Sequence, residues 1–457
     1  MTADTPFCWP HGAEPVASAR RRVLMMTYFF PPSESVGAHR PEELCKRLPE
    51  FGWEPVAVVP EREGTPAGVV QTPDGSWMRK VESAPAGSPL LQARKGAGRL
   101  GPFITLSKQL LRLFPPWHDE YTGWSYRAVG RAIQEGRRKR VDVVWATCNP
   151  FTLAPAALLV ARALGVPCVV DLRDAFPAYL HFPPGTNHWF FRAMRQVDAV
   201  TAVAPCCATP ELLAVRNGKP INLILSGAWQ DERIPAQPCA QFRLIHAGSL
   251  YGGRRNPSAL LRAMALLAAE LPGFRNDARV RFIGRDASCV KGIPGYAQAA
   301  AMVETLGQTP YRQVVEMTAE SSVLLIINGE GYEVDDPLPG KLYDYLPFDA
   351  PILAFGGAGG ILADALDWSG CGQWAGSVEA IADVLRDCYA AWKTAARVRA
   401  PRAPEALDYF SARRTAAEMA EVLNATVENR QPSCNPGPPW GETNFNRDGQ
   451  DAQDKED

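Results

Sequence analysis

Two successive series of short apolar runs, each run followed by a polar or glycine-bearing loop and a helical stretch, constrain this chain more than any other feature. The first series opens with RRVLMMTYF (21–29), a β-rich run without polar alternation, as expected of a strand buried on both faces of a parallel sheet. The loop PPSESVGAHR follows, and then PEELCKRLPEFG (41–52), where Pro41 suits a first helical turn and Gly52 a C-terminal stop. EPVAVVP (54–60) completes one βαβ unit. The pattern resumes with strands at VDVVWAT (141–147), PCVVDLR (167–173), DAVTAVA (198–204) and INLILS (221–226), and helices through TLAPAALLVARALG (152–165) and HWFFRAMRQV (188–197).

A Pro-rich polar stretch, DERIPAQPCAQ (231–241), reads as a linker, and beyond it the alternation starts afresh. FRLIHAGSL (242–250), ARVRFIG (278–284), SSVLLIIN (321–328) and APILAFG (350–356) are strands with helices between them, the first of these helices PSALLRAMALLAAE (257–270). The fold class is therefore α/β, with two doubly wound Rossmann-like domains at 21–230 and 242–403. Residues 1–20 read as a flexible leader and 428–457 as a disordered tail.

Bulk composition narrows the function. Apolar residues make up 46% of the 457, enough to give each domain a core, while 48 basic against 49 acidic residues leave a net charge of −1 and no basic excess for tracking nucleic acid. Eleven cysteines without C-x-x-C spacing read as reduced thiols, not as a disulfide framework or a zinc site. No apolar run approaches the roughly 20 residues that span a bilayer, so the expected location is cytoplasmic. One basic stretch, ARKGAGRLGPFITLSKQLLRLFPPW (93–117), has the composition of an amphipathic surface helix, and a peripheral contact with the inner membrane face is the expectation it raises.

Six pieces in order, TYFFPPSESVGAHR…LPEFGWEPVAVV, VDVVWATCNPFT, VVDLRDAF, DAVTAVAP, HAGSLYGGRRNPSALLRAM and PGKLYDYLPFDAPILAFG, resemble the family 4 glycosyltransferases of the GT-B fold from about residue 21 to about 424. The resemblance implies two Rossmann-like domains facing across a cleft. It also implies a nucleotide-diphosphate sugar donor held mainly by the second domain, transfer with retention, a carbohydrate or lipid-linked acceptor, and a terminal helix (404–427) crossing back to the first domain. It implies no cofactor and no metal.

Loops at the carboxyl ends of strands are where such sheets bind ligands. Transfer from a nucleotide sugar must stabilise a departing diphosphate, which calls for fixed positive charge and backbone N–H donors. GSLYGGRRNPSALLRAM supplies candidates for both: Gly248, Ser249, Gly252 and Gly253 for close backbone approach, Arg254 and Arg255 for charge. In DDPLPGKLYDYL the candidates are Lys341, with Asp336 and Asp344 eight positions apart where the family carries two glutamates. The resemblance places the second acid on the ribose hydroxyls and the first near the donor sugar, with Glu333 and Asp335 as alternatives for the first. In the first domain the loop Ser33–Arg40 offers Gly37, His39 and Arg40, and the strand end DLRD offers Arg173 and Asp174 on the acceptor side, with Asn149 in a neighbouring loop. Ser226-Gly227-Ala228-Trp229 stands where relatives read Asn-Gly, an aromatic and Asp. A nucleotide-sugar epimerase and a silent nucleotide-sugar binder stay open as alternatives.

Overall fold

A computed structural model describes residues 20–33, 35–74, 119, 121–176, 188–228, 233–329 and 338–429. The chain divides into two compact units: one holds the residues up to Ser226 and those from Ala412, the other Gly227–Ser411. Asp336, Glu333, Asp335, Trp229 and the basic stretch 93–117 lie outside the described residues.

The first unit is built on a seven-stranded sheet. Its strands are β1 (Arg21–Met26), β2 (Trp53–Pro60), β3 (Val70–Thr72), β4 (Val143–Cys148), β5 (Cys168–Leu172), β6 (Ala199–Ala202) and β7 (Ile221–Leu223). The spatial order is β3-β2-β1-β4-β5-β6-β7, and every pair is parallel. Both faces are covered, which is why the strands lack polar alternation. Leu24 and Met26 face one core together with Val144, Ala146 and Val170, under the helices Thr122–Lys139 and Leu153–Leu164. Val23 and Met25 face the other, together with Val143, Trp145 and Val169. That second face is closed by helix His39–Arg47 and by the last helix, Ala412–Val427, through Ala416, Met419, Ala420 and Leu423. Gly52, in the left-handed region at φ 83°, ends the 3-10 turn Leu48–Phe51 that follows His39–Arg47.

The second unit repeats the design with six strands: β8 (Phe242–Ala247), β9 (Ala278–Ile283), β10 (Val303–Leu306), β11 (Val323–Ile327), β12 (Ile352–Phe355) and β13 (Gly372–Ala375). Their order is β10-β9-β8-β11-β12-β13, again all parallel. Phe242, Leu244, Phe282, Leu325 and Phe355 pack beneath helices Ser258–Glu270 and Val378–Ala395. Residues 233–241 are fastened to this unit: Ile234 N donates to Pro347 O at 2.7 Å, and Trp392 Nε1 donates to the Cys239 carbonyl at 2.9 Å.

The segment read as one terminal helix is two. Pro404–Tyr409 belongs to the second unit and Ala412–Val427 to the first, with Phe410 and Ser411 between them. Phe410 is buried and meets the rings of Tyr343 and Trp368, so the chain is held at the point where it leaves the second unit.

Candidate functional site

In each sheet the strand order reverses once, between β1 and β4 in the first unit and between β8 and β11 in the second. Such switch points separate the loops that leave neighbouring strands and open a crevice at the carboxyl edge. The candidate residues among those described lie in loops or helix starts that follow strands, except Asp344, near the end of helix Gly340–Tyr345.

At the first switch point the charged groups are largely committed to the protein itself. Arg40 pairs with Asp171 through Nε and Nη2, each at 2.9 Å, and its Nη1 donates to the Leu225 carbonyl at 2.9 Å. Asp171 also accepts from Thr147 Oγ1 at 3.1 Å and Thr201 Oγ1 at 2.6 Å, so its carboxylate is fully satisfied with no exposed surface. This buried network ties β4, β5 and β6 to helix His39–Arg47. It is a brace rather than an open contact site, because both partners are spent on each other.

Arg173 is a second brace. Nη1 donates to the Gly37 carbonyl at 2.7 Å, Nη2 donates to the Asn149 carbonyl, and the guanidinium lies 5.7 Å from the Phe29 ring centre. A Cβ on Gly37 would collide with the same guanidinium. Gly37 is thus required as room for Arg173, and its own N–H donates to Ser35 Oγ at 3.3 Å. Burial pulls Arg173 below its ordinary pKa, with Asp174 and Asp171 acting against that shift. Asp174 is half-buried and makes no hydrogen bond among the described residues. His39 is held below its ordinary pKa by burial, so it is neutral at pH 7. The structure brings Gly37, Asn149 and Arg173 together, with Asp174 next in the chain.

At the second switch point two cations, Lys341 and Arg255, have no acidic partner at ion-pair distance among the described residues. Gly248 leaves β8 at φ 141°, and a Cβ there would sit 2.6 Å from Lys341 Nζ and 2.9 Å from Cε. Lys341 therefore lies across the backbone of Gly248, at the start of helix Gly340–Tyr345. It makes no hydrogen bond or ion pair among the described residues. Burial pushes its ammonium well below the ordinary lysine value, and the nearby Arg255 cation adds to the shift. Arg255 Nη1 donates to the Ser249 carbonyl at 3.5 Å, and its guanidinium stands 4.7 Å from the centre of the exposed Tyr251 ring. Arg254 points to solvent.

Around this pair are polar atoms without partners. Asp344 Oδ1 has none among the described residues, and burial lifts its carboxyl well above the usual range while Lys341 acts against the rise. His246 is fully buried, and its Nδ1 faces the Leu325 carbonyl at 3.2 Å; a carbonyl only accepts, so Nδ1 carries the proton in that contact. Burial and Lys341 together hold His246 well below its ordinary pKa. Asn328 Nδ2, after β11, is buried and unpartnered too. Most buried polar groups in folded proteins are paired; here unpartnered ones also occur away from this switch point, among them Trp53 Nε1, Trp124 Nε1 and Arg402 Nε.

The loop 249–252 is shaped by a residue that sequence reading passes over. Asp286, after β9, accepts from Ser249 Oγ at 2.8 Å, Leu250 N at 3.0 Å and Gly252 N at 3.0 Å. Burial works to raise its carboxyl, but those donors outweigh it and hold it below the usual range. The N–H of Gly252 and the hydroxyl of Ser249 are accordingly engaged by this carboxylate. Tyr251, at the tip, adopts φ 50°, a left-handed conformation that costs a residue with a Cβ about 1–2 kcal/mol. No signal in the sequence marks Asp286, because its partners, two backbone amides and the Ser249 hydroxyl, lie more than thirty residues away.

No protein-family model matches this sequence, and no curated protein matches it. Likeness is found among solved structures. Anabaena Alr3699/HepE, solved in complex with UDP and glucose, is 13% identical, with the match covering 89% of this chain and 100% of that one at a TM-score of 0.56. The lipopolysaccharide outer core galactosyltransferase WaaB is 9% identical over 89% of this chain and 99% of its own, with a TM-score of 0.50. A candidate UDP-N-acetylglucosamine 2-epimerase from Listeria monocytogenes is 10% identical over 92% and 100%, also at 0.50. Together with the two parallel sheets, these likenesses define the fold as a two-domain Rossmann-like GT-B fold.

Proposed function

We propose that the protein transfers a sugar from a nucleotide-diphosphate sugar to a carbohydrate, lipid-linked or small-molecule acceptor, with retention of configuration. The observation that carries this reading is the pair of cations at the second switch point. Lys341 lies across Gly248 with Arg255 beside it, and neither has an acidic partner at ion-pair distance among the described residues. An anionic group placed there gains two charge-assisted contacts and relieves the repulsion between the cations.

In this reading the bond from the anomeric carbon to the diphosphate oxygen breaks, and Lys341 and Arg255 take up the charge that develops on the departing oxygen. The acceptor hydroxyl forms the new bond and gives its proton to the leaving phosphate. Asp344 binds the ribose hydroxyls, and Asp336 is assigned to the donor sugar. Gly248, Ser249, Gly252 and Arg254 border the donor. Gly37, His39 and Asp174 form the acceptor side, and Arg173 acts by holding the loops that carry Gly37 and Asn149. No metal is assigned a step, so chelation should leave turnover unchanged. The basic stretch 93–117 is proposed as a peripheral membrane contact, which co-sedimentation with anionic vesicles at low salt tests.

The likeness to HepE, solved with UDP and glucose, makes UDP the first nucleotide to try. The likeness to the Listeria protein favours one alternative, epimerisation of the donor without an acceptor. Incubating the chain with a panel of UDP-, GDP- and ADP-sugars, with and without oligosaccharide acceptors, separates the readings. Diphosphate release that depends on acceptor supports transfer, an epimeric nucleotide sugar formed without acceptor replaces it, and binding without turnover leaves a silent binder.

A further inference from the structure

The loop after β8 would ordinarily be the place where backbone N–H groups receive a phosphate, but its donors point elsewhere. Leu250 N and Gly252 N donate to the two carboxylate oxygens of Asp286, and Ser249 Oγ donates to the second of them. Tyr251 N in turn donates to Ser249 Oγ at 2.9 Å. Two amides and a hydroxyl thus converge on one internal anion, and the amide between them is held by that hydroxyl, which closes the loop into a fixed turn. What the turn presents outward is Arg255, whose guanidinium is bonded to the Ser249 carbonyl and stacked on the Tyr251 ring. Asp286 holds Ser249 directly and Tyr251 through the Ser249 hydroxyl.

We propose that Asp286 is a positioning residue for nucleotide-diphosphate binding: it fixes the turn 249–252 so that Arg255 is presented beside Lys341. The inference rests on the reading of this switch point as a diphosphate site and adds that the diphosphate is met by side-chain cations, the amides of 250–252 being already taken. An internal carboxylate that merely competed with the diphosphate for the loop would have the opposite effect when removed.

The test uses the full chain with Asp286→Ala and Asp286→Asn, each alone and combined with Arg255→Ala. Two quantities are read: amide hydrogen exchange at 250–252, and affinity for UDP, GDP and ADP by calorimetry. Exchange at Leu250 and Gly252 should quicken in both Asp286 variants, the more so in the alanine variant, because asparagine keeps one acceptor oxygen. Affinity for the nucleotide that binds should fall about tenfold in Asp286→Ala and less in Asp286→Asn. Adding Arg255→Ala to Asp286→Ala should cost little more than Arg255→Ala alone, since residues acting through one contact are not additive. Unchanged exchange overturns the clamp whatever the nucleotide result. Tighter or unchanged binding, or fully additive losses, overturns the positioning role. A wild-type chain that binds none of the three removes the diphosphate reading itself, and the inference with it.

Discussion

The ammonium of Lys341 occupies the space above Gly248 so closely that a methyl group on that glycine would lie 2.6 Å from it. The two residues come from different βα connections, after β8 and after β11, and the reversal of strand order is what brings them together. Gly248→Ala should therefore act twice: the φ of 141° is strained for any side chain, and the added carbon displaces Lys341. We expect a loss of about 1–3 kcal/mol in stability, measured by urea unfolding, and a tenfold or greater loss of nucleotide affinity.

Nucleotide binding should be accompanied by proton uptake. Lys341 is held below its ordinary pKa and Asp344 above its own, both chiefly by burial. An arriving diphosphate is negative, and it favours the protonated form of each group, so both shifts act in the same direction. Affinity should weaken as pH rises from neutrality toward the ordinary lysine value, by at most roughly tenfold per pH unit for each proton taken up. Calorimetry in buffers of different ionisation enthalpy measures the uptake, and it should shrink in Lys341→Met.

The brace at the first switch point is a stability feature. Asp171→Asn or Arg40→Met leaves one buried charge without its partner, at a cost of about 3–5 kcal/mol. The unfolding transition of the first unit should move to lower urea in either variant, while nucleotide affinity at the second unit holds. A loss of affinity equal to that of Lys341→Ala, without destabilisation, would assign Arg40 to the ligand instead.

The last helix completes the first unit's core. Leu423 has no exposed surface and packs with Met419 against the face that carries Val23 and Met25. Leu423→Ala should cost about 2–5 kcal/mol, and a chain ending at residue 411 should bind a hydrophobic dye and melt at lower temperature.

Much of this arrangement was legible in the residues because buried parallel strands appear as apolar runs: β1, β5, β8 and β11 fall inside predicted runs, and β4 overruns its run by one residue, Cys148. Strands with few apolar residues escaped. Val70–Thr72 is three residues at an edge, and Gly372–Ala375 contains a single aromatic in a polar setting. Among the site residues, chain position identified the loops but not the partners. The sequence marks Arg173 and Gly37 each as a contact for a ligand, and 136 positions separate them, so nothing in it says that they are bonded to each other. Asp286 was invisible for the same reason, since a carboxylate that caps backbone amides leaves no trace in composition or spacing. The break at Phe410 and Ser411 was hidden because the residues on both sides favour helix.

The most direct test of the account is calorimetric titration of UDP, GDP and ADP into the wild-type chain and Lys341→Ala. The account predicts that one diphosphate binds the wild-type chain and that the variant binds it at least tenfold more weakly, a difference of about 1.4 kcal/mol. Equal affinity in the two chains, or no binding to the wild-type chain by any of the three, would contradict it.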